Sequence, residues 1–180
     1  MPQKVDQSPY RIFEGEIPRK GSFGFGICPG HSARLDIGVR CLKSDLQAIQ
    51  DWEPTIIVSL LTKPEFAILG VPDFEKRVRE TGIKWQHFPI EDGGVPRVHE
   101  MNFFWQMIKS IVIEIITGKK VFIHCRGGIG RSGIVICQSL KQIGFGPKQA
   151  LSLARTWRHG AVENKVQENF VLNISGQICP

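Results

Sequence analysis

Two short runs, Thr55–Leu61 and Val121–Ile123, constrain the fold more than anything else in the chain. Both are largely apolar and rich in β-branched or aromatic residues, with no alternation of apolar and polar residues. A strand with one face in water alternates, so these two predict strands buried on both faces, as in a parallel sheet covered by helices. The segments around them fit. Residues 43–52 carry apolar side chains at helical spacing, and Pro72–Thr81 is a charged stretch opened by proline and followed by Gly82. Arg97–Thr117 is a long apolar-rich helix ending at Gly118, and helices are expected over 131–143, 148–159 and 163–175. Further strands are expected at Phe23–Ile27, Ile83–Phe88 and Lys120–His124. Strand–helix alternation predicts an α/β fold, a mainly parallel central sheet flanked by helices on both faces. Residues 1–22, with three prolines, read as an N-terminal arm carrying an edge strand near Ile12–Ile17, and residues 23–180 as a single domain.

Composition excludes several classes. Apolar residues make up 42% of the 180, which is globular rather than disordered. The greasiest stretch, Ile111–Ile116, is broken by Glu114 and far too short to span a bilayer. No apolar signal segment follows the N-terminal methionine, so a soluble, cytoplasmic protein without a membrane partner is expected. The net charge of +6 is uneven: residues 1–90 hold 12 Lys/Arg against 11 Asp/Glu, and residues 91–180 hold 11 against 6. That excess without a basic run suits a small anion, not a nucleic acid. Cys28, Cys41, Cys125, Cys137 and Cys179 form no C-x-x-C pair, so neither a disulfide framework nor a metal site is suggested. The plain expectation for each is a small buried hydrophobe.

Cys125 escapes that expectation. The segment 121–133, VFIHCRGGIGRSG, runs from a strand through a glycine-rich loop into a helix. Gly127, Gly128 and Gly130 let the backbone curl so that successive N–H groups point inward as an anion nest. The helix start adds its free N–H groups, and Arg131 a planar fork of donors matched to two phosphate oxygens. Cys125 lies at the mouth of this electropositive cradle, where a thiol is favoured as the nucleophilic thiolate. Ser132 is placed to donate to the Cys125 sulfur, and His124 to fix the loop through the backbone. A Walker loop ends in Gly-Lys-Ser/Thr, whereas here Gly130-Arg131-Ser132 stands, and no dinucleotide fingerprint is present. A thiolate attacking a phosphate ester needs an acid for the leaving group, on a separate loop. PIEDGGVP, residues 89–96, supplies Asp92, 33 residues before Cys125, with Glu91 as its rival.

The pattern His124-Cys125-x5-Arg131-Ser132 resembles the signature of Cys-dependent protein phosphatases, and the short chain resembles their dual-specificity group. Within that group it is most similar to the kinase-associated phosphatase (cyclin-dependent kinase inhibitor 3) type. The likeness rests on GICPG, TIIVSLL, VPDFEKRVRETG, the PI-x-D-GG-x-P loop, the phosphate loop and GAVENKVQENFV. The resemblance implies a protein-tyrosine-phosphatase-like fold and a phosphoric monoester hydrolase acting without cofactor or metal. Cys125 would be the nucleophile and Asp92 the acid, then the base. Arg126, Gly127, Gly128, Ile129, Gly130 and Arg131 would bind the substrate phosphate, and His124 and Ser132 would assist. It implies a phosphorylated protein or peptide as substrate, a protein kinase among the candidates. Two other readings stay open: a phosphoprotein-binding module with little turnover, and a phosphatase for a non-protein ester such as an inositol phosphate. The family's late segment carries two glutamines, where this chain has Glu163 and Gln167; Gln167 is a weak site candidate and otherwise a surface amide. Arg97 is a candidate for steering phosphate, and Arg155 with Trp157-Arg158-His159 for a basic rim. Cys28 or Cys41 is a candidate redox partner of Cys125.

Overall fold

The computed structural model describes residues 5–6, 8–31 and 39–176. Its centre is a five-stranded sheet in the order β2 (Phe13–Glu16), β3 (Ser22–Gly26), β7 (Lys120–His124), β5 (Ile56–Ser59) and β6 (Lys84–His87). Only β2 runs antiparallel, against β3; the other pairings are parallel. The stretch expected as an arm therefore contributes the edge strand. Strands β1 (Val5–Asp6) and β4 (Val39–Arg40) form a separate parallel pair that the sequence did not announce.

The uniform apolarity of β5 and β7 has the expected cause. Ile56, Val58, Val121 and Ile123 face one layer, built by α4 (Met101–Ile116), α5 (Gly130–Ile143), α6 (Pro147–Trp157) and α7 (Lys165–Asn173). Ile57 and Phe122 face the other, built by α1 (Leu42–Asp51), α2 (Lys63–Ile68) and α3 (Phe74–Glu80). Alternate residues of one strand thus serve two cores. Helix α5 lies deepest, buried from Gly130 through Leu140, and ends where Gly144 takes φ 111°.

Three elements differ from the sequence reading. Helix α2 was missed because it has six residues, too few for a period; it is set instead by a capping box, Thr62 with Glu65, and by Pro64 in its first turn. Helix α3 starts at Phe74, and Pro72 lies in the turn before it. The long helix begins with a 3-10 turn, Val98–Glu100, capped by Glu100 on the Arg97 amide at 2.8 Å. Among the described residues no helix is long and apolar enough to cross a membrane. Of the cysteines, Cys28, Cys125 and Cys137 are buried free thiols, whereas Cys41 is an exposed one; Cys179 lies outside the described residues.

The four parallel strands end along one edge. From it leave the turn after Gly26, the Thr62 cap of α2, the 89–96 loop and the 125–131 loop. This is where an α/β sheet of this kind binds its ligand.

Candidate active site

The 125–131 loop is held from below by main-chain geometry. Gly128 adopts φ 63°, and a Cβ there would collide with the Gly26 carbonyl oxygen. Only glycine meets both demands. The Cys28 amide donates to the Arg126 oxygen at 3.0 Å, binding the β3 exit turn to the loop. Tyr10 braces that turn through its hydroxyl, which donates to the Ile27 oxygen at 2.5 Å. Among the described residues, the amides of Arg126, Gly127, Gly128 and Ile129 donate to no protein oxygen. Such a curl of free N–H groups at a helix start is an anion cradle.

Cys125 is buried with its sulfur at the base of this curl, 3.1 Å from the Ser132 hydroxyl that donates to it. His124 is fully buried, and burial pushes its pKa down to about 3, so it is neutral. Its Nε2 lies 2.6 Å from Ser59 Oγ and its Nδ1 3.4 Å from the Cys125 oxygen. Trp85 donates its indole N–H to Ser59 Oγ at 2.8 Å. The Cys125 carbonyl can only accept, so the neutral imidazole carries its proton on Nδ1 and its bare Nε2 accepts from the Ser59 hydroxyl. A polar line thus runs from β6 through β5 to the loop.

Arg131 is 1% exposed, and both of its terminal nitrogens are paired. Its terminal nitrogens bond both oxygens of Glu65 at 2.8 and 2.9 Å, the Ile90 carbonyl at 2.9 Å and Asp92 Oδ1 at 2.9 Å. Burial works against its charge, but Glu65, Cys125 and Asp92 raise its pKa on balance. Glu65 was not foreseen as a site residue. The signal was the Thr62-x-x-Glu65 box directly after a buried strand: one carboxylate caps α2 and orients the Arg131 guanidinium.

Asp92 sits on the exposed crest of the 89–96 loop, with Arg126 NH1 3.8 Å from its second oxygen. The loop therefore brings Asp92 to the cradle. Glu91 points away and pairs with Arg97 at 3.3 Å on the surface, so Arg97 is engaged outside the cradle. Of the expected basic rim, Arg155 is taken by Glu168 at 2.7 Å and by the Ala161 oxygen, while His159 is exposed. Only Arg158 reaches the loop, donating to the Gly127 oxygen at 3.3 Å over the Phe13 ring. Gln167 is no surface amide: it is fully buried and bonds the Gly94 oxygen and the Glu163 amide. Glu163 is exposed, its carboxylate beside Gly130. Burial raises the Cys28 thiol's pKa, and its neighbour Cys125 adds to that direction.

The family model described as Cyclin-dependent kinase inhibitor 3 (CDKN3) matches residues 2–151. The cyclin-dependent kinase inhibitor 3 of Mus musculus is 25% identical over 173 residues, covering 94% of this chain and 81% of that protein. Among solved structures, the kinase associated phosphatase (KAP), crystallised with its catalytic-site cysteine replaced by serine, superposes with a TM-score of 0.81. Its identity is 24%, over 92% of this chain and 93% of that one. The active form of Tk-PTP gives a TM-score of 0.61 at 26% identity, over 89% and 92% of the two chains.

Proposed function

The chain belongs to the cyclin-dependent kinase inhibitor 3 family, and on that premise we propose that it removes phosphate from phosphoproteins in two steps at Cys125. The chain is a cysteine-dependent phosphatase; the residue roles and the substrate are our reading. In the first step the Cys125 sulfur attacks phosphorus, an S–P bond forms and the ester P–O bond breaks. Asp92 gives its proton to the departing oxygen. In the second, Asp92 takes a proton from water as that water attacks phosphorus, and the thiolate leaves with its electron pair. Ser132, donating to the sulfur at 3.1 Å, stabilises that thiolate. Arg131 and the amides of Arg126, Gly127, Gly128, Ile129 and Gly130 hold the phosphoryl oxygens through both steps, donors arranged before substrate arrives. His124 fixes the loop through the Cys125 carbonyl. Residues 23–180 form the catalytic domain in this reading, and the arm lends its edge strand.

The observation that carries the proposal is the convergence on one cradle of a buried thiol, four unspent loop amides and Asp92 across a paired arginine. The relatives' names point to a protein kinase as the phosphorylated substrate, and free thiols suit a cytoplasmic location. The test is hydrolysis of 4-nitrophenyl phosphate by reduced protein with EDTA present, comparing wild type with Cys125→Ser and Asp92→Asn. Loss of turnover in Cys125→Ser is expected; an unchanged rate would sink the mechanism. A parallel panel of phosphopeptides and inositol phosphates then reads the substrate class, with faster turnover expected on the peptides.

A further inference from the structure

The turn that carries Asp92 is held on one side by Arg131, which donates to the Ile90 oxygen and to Asp92 Oδ1 at 2.9 Å each. The Gly94 amide donates to the Glu91 oxygen at 2.9 Å, which closes the turn on itself but does not anchor it to the phosphate loop. Asp92 and Glu91 on its crest are exposed. The anchors beyond Asp92 come from the start of α7, in a different part of the chain. Asn164 Nδ2 donates to the Gly93 oxygen at 2.9 Å, and Gln167 Nε2 to the Gly94 oxygen at 3.3 Å. Both carbonyls that follow Asp92 are thus spoken for. The same helix start touches the phosphate loop: a Cβ added to Gly130 would lie 2.9 Å from the Gln167 amide. One turn of α7 therefore spans from the acid's loop to the head of α5.

We infer that Asn164 is a positioning residue for the general acid, holding the 91–94 turn at the distance from Cys125 at which Asp92 reaches the leaving oxygen. The inference rests on Asp92 being that acid. Asn164 suits the task because its amide serves two masters. Its Oδ1 accepts the Gln167 amide at 3.0 Å and caps α7, which frees Nδ2 to donate across to Gly93. An aspartate at the same position keeps the cap but has no N–H, and it sets a carboxylate against the Gly93 carbonyl. Asn164→Asp therefore separates the helix from the latch.

The experiment compares kcat/KM on two aryl phosphates, 4-nitrophenyl with a good leaving group and phenyl with a poor one, for wild type, Asn164→Asp, Asp92→Asn and the double variant. An ångström of misplacement is costly to an acid, so Asn164→Asp is expected to lose about tenfold on phenyl phosphate and less than about threefold on 4-nitrophenyl phosphate. Asp92→Asn should show the same leaving-group dependence more strongly, and the double variant no further loss, because both act on one proton transfer. Melting temperature should match the wild type, since the cap survives. If Asp92→Asn is impaired in this pattern while Asn164→Asp equals wild type, the latch is wrong and the acid stands. If Asn164→Asp loses equally on both substrates and melts lower, its role is only structural and the inference falls. If Asp92→Asn shows no leaving-group dependence, the acid itself is misassigned and the inference falls with it.

Discussion

Replacing Glu65 by glutamine perturbs Arg131 without touching the loop amides. Both Glu65 oxygens accept from Arg131, and one also accepts from the Thr62 amide at 2.8 Å and its hydroxyl at 3.0 Å. Side-chain exposure is 1% for Arg131 and 16% for Glu65, so solvent screens the pair weakly. At an effective dielectric of about 20, unit charges 2.8 Å apart attract by roughly 6 kcal/mol before desolvation is charged against them. Glutamine keeps one acceptor oxygen but turns an N–H group toward the guanidinium. The Ile90 carbonyl and Asp92 still hold Arg131, so part of the network survives. We expect a net loss of about 2–4 kcal/mol, within what breaking a buried pair costs. For a domain of this size that lowers the melting temperature by roughly 5–15 °C. Burial pushes the Glu65 carboxyl up, but the bonds from Arg131 and Thr62 outweigh it and hold the group below its ordinary 4.5. A depressed carboxylate stabilises the fold above its unfolded value and loses that contribution as pH falls through the folded one. The gap between wild type and Glu65→Gln should therefore be full at neutral pH and narrow below 4.5. Thermal unfolding of the reduced proteins across this range checks both points. A melting temperature within about 2 °C of wild type at neutral pH, or a gap unchanged in acid, would refute the reasoning.

Other perturbations follow from the same geometry. Gly128→Ala forces a Cβ into the Gly26 carbonyl at a positive φ; turnover should fall at least about a hundredfold while the fold, read by circular dichroism, persists. His124 is held neutral down to about 3 against an unfolded value of 6.5, so the unfolded chain binds one more proton between these limits. Stability should decline as pH falls through that window, by up to about 1.4 kcal/mol per unit, with a shallower slope in His124→Asn. Glu163 presents an exposed carboxylate beside Gly130; Glu163→Gln should tighten inhibition by inorganic phosphate about two- to fivefold, measured as Ki, and an unchanged Ki would show the carboxylate to be screened.

What the sequence revealed and what it hid divide along physical lines. The buried strands were legible because residues such as Ile57 and Phe122 serve one core while Ile56, Val58, Val121 and Ile123 serve the other, which erases the period-two pattern. The phosphate loop was legible because its glycines, arginine and serine are local in the chain. Glu65, Ser59 and Asn164 were not, although each bonds a site residue or the loop that carries one, and nor was Trp85, which bonds Ser59. Their partners lie 66, 65, 71 and 26 positions away, brought together only by parallel register and helix placement. Short elements escaped for a different reason: α2, at six residues, is defined by its cap, and β1 with β4 by two residues each. Gln167 misled because a lone amide on a helix says nothing about which face is covered.

The pairing of Asp92 with Arg131 at 2.9 Å makes the resting protein its own competitor. In the proposed mechanism the arginine that takes the incoming phosphoryl group already grips a carboxylate from the same chain, at the high effective concentration a short tether gives. On that reading substrate would enter by exchange, displacing Asp92 from one partner as it takes up that partner itself. The same exchange would run backward as inorganic phosphate leaves and Asp92 returns to the arginine, and the tether that sets the balance is the loop from Pro89 to Pro96.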